Sequence, residues 1–462
     1  MEFSKKSLLM GVFFLVFTVL SGGNYLMALP VVSNTDTEGK GAVTWDVKLS
    51  HPYVKKGIYG EELVNIRLAG RDNVPIIART PVNLVLVIDR SGSMSDWGKI
   101  NYAKEAAKEI INRLSSSDRL SIVAYSTEVE ILYPMQFLRN KELATSAVNS
   151  LYPTNSTNLS GGLIAGINQL ESVGRSGYIN RVILLSDGLA NVGITDVGEL
   201  SRVSSRASER NMHITTMGLG LNFDEDLMMS LAQYGAGNYY FIESPSQLAG
   251  IFQREFGQLS RTIAKGPVIT ITLEPGVTLT EVYGYTYSTT KDGKIRIKLG
   301  DIFAGQQRDI LIKMRVPADK LGDKGLVTAT LEYEDLLNNS QGARFENELS
   351  YNVTADEQKV RASENREVAA RGVSVNAASS LHKATTEYEK GNRTGALSYM
   401  NDAYQKIIQV NQTPQRNQQT LKQEEELREA IQNMEVNTSE PTSDSGKRLI
   451  KEQKAKALEY QQ

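Results

Sequence analysis

Val82-Asn83-Leu84-Val85-Leu86-Val87-Ile88-Asp89 decides the fold. A half-exposed strand would alternate apolar and polar residues. This run is apolar at all but one position before it closes on a carboxylate, so it reads as a strand covered on both faces, as in a parallel sheet between helices. Arg90-Ser91-Gly92-Ser93 follows at once, and a helical pattern occupies residues 98–114. Apolar runs recur at 120–125, 129–133, 181–185, 213–219 and 239–242. Helical stretches lie between and after them at 141–151, 159–173, 197–209, 224–234 and 246–263. Alternating strands and helices predict an α/β domain over residues 81–263, a doubly wound, mostly parallel sheet. Ligands of such sheets bind on the loops that leave the carboxyl ends of the strands.

Outside this block the pattern changes. Residues 40–80 are β-rich; Val43-Thr44-Trp45-Asp46-Val47-Lys48-Leu49 alternates with period two. Short alternating runs separated by Gly, Pro or Asp return over 265–355. One β-sandwich built from both segments, with the α/β domain inserted, is preferred to two small sheets, because two or three strands alone make a weak core. Residues 356–436 are helical: Ala396, Leu397, Met400, Ala403, Tyr404, Ile407 and Ile408 keep the three-and-four spacing of one helix face. Residues 437–462 read as a polar linker followed by a basic tail that ends in solvent. Residues 1–28 carry Lys5 and Lys6, an apolar run over 8–20 and then Ser21-Gly22-Gly23, the pattern of a signal peptide. An uncleaved N-terminal anchor is the other reading, and it is the one route to a membrane. Either way the remainder is expected outside the cytoplasmic membrane of a bacterium: periplasmic, on the cell surface or secreted.

Composition narrows the chemistry. The 462 residues hold 51 Lys+Arg and 53 Asp+Glu, a net charge of −2, which disfavours a nucleic-acid binder needing a basic surplus. Cysteine is absent, so thiolate metal sites and cysteine nucleophiles are excluded. The three histidines, His51, His213 and His382, are far apart in sequence, and His213 opens an apolar strand that suits a place beside the core.

Three fragments then stand out. Asp89-Arg90-Ser91-Gly92-Ser93 follows the first buried strand, Ser156-Thr157-Asn158-Leu159 opens a helix, and Ser186-Asp187-Gly188 ends another buried strand. The topology puts all three on one sheet edge. They offer oxygen ligands and no nitrogen or sulfur, the set that suits Mg²⁺, Mn²⁺ or Ca²⁺. The plainer alternatives are a helix cap for the serines or for Thr157, and a simple turn at Asp187-Gly188. The motif places no histidine or lysine to activate Ser91 or Ser93, so a serine nucleophile, and an enzyme, are not expected. Asp96 and Trp97 sit just past the first loop, where an exposed Trp suits a partner contact or packing.

These fragments, together with Gly218-Leu219-Gly220 and Gly235-Ala236-Gly237-Asn238-Tyr239-Tyr240, resemble a von Willebrand factor type A domain with an intact metal-ion-dependent adhesion site. The β-rich flanks and helical tail are similar to secreted bacterial members and to inter-α-trypsin-inhibitor-like proteins. The resemblance implies a divalent cation, Mg²⁺ first, held by Asp89, Ser91, Ser93, Thr157 and Asp187. It implies a protein partner that offers an Asp or Glu carboxylate, and no nucleic acid. It also implies that the last helix, 246–263, shifts with the site and relays its state to the second β-region. A scaffold whose metal only stabilises loops, and an ion-transport regulator, are the alternative functions.

Overall fold

The computed structural model describes residues 41–72, 79–436 and 439–462. The expected signal or anchor lies outside them. Among the described residues no helix is long and apolar enough to cross a membrane.

The decisive strand, Val82–Asp89, is buried at every position. It runs in a six-stranded sheet between Arg119–Tyr125 and Ile179–Ser186, parallel to both. His213–Leu219 and Ala236–Ile242 extend the sheet on one side, also parallel; Val129–Phe137 closes the other side antiparallel. Helices cover both faces. Lys99–Arg113 and Leu248–Ser260 pack on one apolar layer, which includes Leu84, Leu86 and Ile88. Leu159–Glu171, Val197–Glu209 and Glu225–Tyr234 pack on the other, with Val85 and Val87. This is the fold class expected.

The strands on either side of the inserted domain form one sandwich. Tyr59–Gly70, from before the insertion, pairs antiparallel with Gln307–Pro317 from after it, Ile66 opposite Ile310. Val43–Leu49 and Thr278–Val282 complete that four-stranded sheet. The facing sheet is built on Thr262–Leu273, Gly322–Asp335 and Gln341–Thr354. Trp45, Ile66, Ile269, Ile310 and Leu331 share the core between them. Arg261 is the one residue between the last helix of the α/β domain and the strand Thr262–Leu273, so the two domains join without slack.

The basic tail departs from expectation. Residues Asp444–Gln461 form a helix that completes a bundle with Arg366–Glu389, Arg393–Asn411 and Gln418–Val436. Two of its four lysines are buried. Lys451 and Lys454 are 3% and 1% exposed. The Lys454 ammonium sits among Asp226 (2.8 Å), Glu389 (2.7 Å) and Glu225 (3.3 Å). Lys451 pairs with Glu225 and donates to the Phe223 carbonyl at 2.7 Å. Arg448 holds Glu243 at 2.8 Å. Three carboxylates that could have gathered a metal are instead occupied by a lysine, and two of them, Glu225 and Asp226, tie the tail to the α/β domain.

Candidate metal centre

The end of the central strand sets the site. Asp89 is fully buried. One of its oxygens accepts the Ser91 N–H at 2.7 Å and the other accepts the Ser186 hydroxyl at 2.8 Å from the adjacent strand. Burial, and then the negative charge of Asp187, push its carboxyl up to about 6. Ser91 and Ser93 bring their hydroxyls 3.1 Å apart, and Ser93 donates to Asp187 at 2.7 Å across two loops. The backbone ties the second loop in as well. Gly92 N–H reaches the Asn155 carbonyl at 2.9 Å, and Thr154 N–H reaches that of Arg90 at 2.7 Å.

Thr157 enters from that second loop. Its N–H is held by Asn191 at 2.8 Å, while the helix beginning at Leu159 is capped by Asn158 rather than by Thr157. The Thr157 hydroxyl makes no hydrogen bond among the described residues. A Cβ built on Gly188 would lie 3.5 Å from that hydroxyl and 3.4 Å from that of Ser93, so both border one small space beside Asp187. Four expected residues, Asp89, Ser91, Ser93 and Asp187, are linked through hydrogen bonds, and Thr157 is brought up to them by this shared space.

Lys99 is the residue that sequence reasoning missed. Its ammonium pairs with Asp187 at 2.7 Å, and both are buried, Lys99 at 7% and Asp187 at 0% exposure. It contacts no serine hydroxyl, so it does not supply the missing base: Ser91 and Ser93 bond only to each other and to a carboxylate. One local signal existed. Lys99 is the first residue of a helix, where the backbone dipole disfavours a cation, so a compensating anion was to be expected. Three exposed apolar side chains stand on these loops or beside them: Trp97 is 88% exposed, Tyr152 62% and Leu189 59%. Trp97 also holds the left-handed backbone conformation, φ 54°, which a bulky residue rarely adopts.

Oxygen ligands on the loops leaving a doubly wound sheet define an α/β domain of the ligand-binding, topological-switch class. The particular family follows from comparison. Residues 83–254 match the model of the von Willebrand factor type A domain, and the chain carries such a domain. Domains of this family commonly use a divalent cation and mediate protein interactions. The chain is 29% identical over 243 residues to the uncharacterized protein YfbK of Escherichia coli K12, covering 52% of this chain and 42% of that protein. It is 28% identical over 266 residues to the uncharacterized protein sll0103 of Synechocystis, covering 56% and 62%. The chain thus spans about half the length of these curated relatives. A solved von Willebrand factor type A protein from Catenulispora acidiphila has the same fold with a TM-score of 0.71 at 16% identity, over 93% of this chain and 98% of that one. The ArnB paralog VWA2 of Sulfolobus acidocaldarius follows with 0.61 at 19%, over 90% and 98%.

Proposed function

We propose that this chain is an exported, non-enzymatic binding protein whose type A domain takes a partner's Asp or Glu side chain at a divalent-cation site. Asp89, Ser91, Ser93, Thr157 and Asp187 would hold the cation, with Mg²⁺ the first candidate. When bound, it would supply an electrophilic position for a carboxylate oxygen. The donor set fits. It is all oxygen and rich in hydroxyls, and hydroxyls leave a cation short of negative charge and receptive to a further anion. Lys99 adds to this, since its ammonium offsets one of the two carboxylates.

The observation that carries this reading is the Thr157 hydroxyl, left without a hydrogen bond beside Ser93 and Asp187. The loops argue against a cation that merely stabilises them. Ser93 to Asp187, Ser186 to Asp89, Gly92 to Asn155 and Lys99 to Asp187 already bind them together. The exposed Trp97, Tyr152 and Leu189 would then pack against the partner around its carboxylate. Export rests on the basic and apolar pattern of residues 1–28.

Calorimetric titration of the purified chain with Mg²⁺ and Mn²⁺ tests the site. Uptake of one ion, lost in Asp89→Ala and Asp187→Ala, is the expected result. No uptake by the native chain would remove the proposal, as would partner binding from the native envelope that survives EDTA.

A further inference from the structure

The type A site carries a positive charge of its own. The Lys99 ammonium and the Ser93 hydroxyl divide the two oxygens of Asp187 between them, each donating at 2.7 Å. Asp187 is the one carboxylate within ion-pair distance of Lys99 among the described residues. The ammonium also stands 3.5 Å from the Ser93 carbonyl. A Cβ built on Gly220 would lie 3.7 Å from it, so the loop leaving the strand His213–Leu219 passes beside the lysine. Lys99 is the first residue of the helix Lys99–Arg113, whose opening N–H groups add to the positive field at the same point.

A site made only to retain a cation gains nothing from an ammonium on one of its carboxylates. The charge count shows what the lysine does instead. Metal binding requires ionised carboxylates, so Asp89 and Asp187 bring two negative charges and Lys99 one positive. A dication turns this buried net negative charge into a net positive one, and an unpaired buried charge is costly. One carboxylate from a partner restores neutrality. Without the lysine the dication alone would reach neutrality, and a further anion would gain little. We infer that Lys99 is the specificity-determining residue of the site: it keeps the hold on the cation weak until an anionic ligand arrives, so that cation and carboxylate bind as a pair. A neutral amide of the same shape is rejected. This inference rests on the metal reading of the site and adds to it the coupling between ion and ligand.

Calorimetric titration of the full chain with Mn²⁺ tests it, with two capped amino acids as probes. Acetyl-aspartyl amide carries a side-chain carboxylate as its only charge, and acetyl-asparaginyl amide is its neutral counterpart. In the native chain the aspartyl probe should tighten Mn²⁺ binding by about tenfold or more, and Mn²⁺ should tighten the aspartyl probe by the same factor. The asparaginyl probe should change nothing. In Lys99→Met, Mn²⁺ alone should bind about tenfold more tightly than to the native chain, and the aspartyl probe should add less than about threefold. A lysine with a merely structural role would weaken Mn²⁺ binding when removed. Lys99→Gln keeps a donor to Asp187 without the charge, so it should repeat the Lys99→Met pattern in a sturdier protein. Lys99→Arg should keep the native pattern. Mn²⁺ binding no tighter in the two neutral variants than in the native chain, or an aspartyl effect undiminished in them, would overturn the inference and leave the metal reading intact. No uptake of Mn²⁺ by the native chain or any variant, with or without the probes, would remove both.

Discussion

Removing Lys99 should make the fold depend on metal. The ammonium of Lys99 is the one cation within ion-pair distance of Asp187 among the described residues, at 2.7 Å, and the carboxylate is wholly buried. Breaking a buried pair by deleting one partner costs about 3–5 kcal/mol, because the remaining charge is stranded. Asp187 keeps the Ser93 hydroxyl at 2.7 Å, which puts the expected loss for Lys99→Met near the lower end, about 3 kcal/mol. That is a large share of a total stability of roughly 5–15 kcal/mol. A divalent cation supplies the missing positive charge, and at a hundredfold excess over its Kd it adds about 2.7 kcal/mol. The variant should therefore unfold at lower urea than the native chain in EDTA and recover to within about 1 kcal/mol in saturating Mg²⁺. Far-UV circular dichroism through a urea series in both buffers measures this. The double variant Lys99→Met/Asp187→Asn should be less destabilised in EDTA than Lys99→Met alone, since no charge is stranded. A single variant as stable as the native chain in EDTA, or one whose urea midpoint does not rise with Mg²⁺, refutes the reasoning.

The remaining predictions concern the frame and the rim. Glu62 is buried in the sandwich, where its carboxylate oxygen accepts from Ser50 (2.9 Å) and the His51 N–H (3.1 Å), and burial pushes its carboxyl up to about 8. The folded state thus keeps a proton that the unfolded chain has released. Stability should fall as pH rises from roughly 4.5 to 8, by at most about 5 kcal/mol; Glu62→Gln should flatten this dependence and be the more stable protein at pH 8, as urea midpoints across pH would show. Lys454→Met takes the ammonium from the solvent-accessible Asp226 and Glu389 while Glu225 keeps Lys451, and should cost about 1 kcal/mol, with the helix Asp444–Gln461 becoming the first site of limited proteolysis. Trp97→Gly relieves a left-handed backbone and should leave stability equal or higher by about 1 kcal/mol, yet weaken partner binding tenfold or more in a surface-capture assay.

The α/β domain was legible because its evidence is local. Six apolar positions among the seven before Asp89 state double-sided burial, and the candidate oxygen donors lie on loops at the sheet edge where the topology puts ligands. What escaped depends on partners distant in sequence. Lys447, Lys451 and Lys454 read as a solvated basic face, since nothing near them in the chain is acidic enough to bury them. The counter-charges of Lys451 and Lys454 lie at 225–226 and 389, and Lys447 meets the Asn222 amide oxygen; only the fold brings these together. The pairing of Tyr59–Gly70 with Gln307–Pro317 is hidden for the same reason: an alternating strand shows which face it buries but not which strand it joins. Lys99 lies between these cases. Its position at a helix start was an anomaly in plain view, but the reason for it, Asp187, is on another strand.

The same buried charges oppose the relay expected for the last helix of the α/β domain. Glu255, on the helix Leu248–Ser260, is 1% exposed. Its carboxylate accepts from Thr215 (2.6 Å), Asn238 (2.8 Å) and Tyr240 (2.9 Å), all on the two neighbouring strands. Sliding the helix along the sheet would break these bonds, each worth about 1.5–3 kcal/mol to a charged acceptor. It would also leave the carboxylate buried without partners. The ends are fixed as well. Glu243, before the helix, is clasped by Arg448 at 2.8 Å; after the helix, the Arg261 guanidinium donates to the Ala304 carbonyl of the sandwich and the Ala304 N–H donates to the Arg261 carbonyl, both at 3.0 Å. A carboxylate ligand at the metal site would gain one coordination bond, against several charge-assisted bonds lost. Hydrogen exchange across residues 248–260 should therefore be the same with metal and a carboxylate-bearing ligand as with EDTA. In Glu255→Gln, where the acceptor loses its charge, protection of the same amides should fall. Metal-dependent loss of protection in the native chain would show that the clamp yields and that the site does drive this helix.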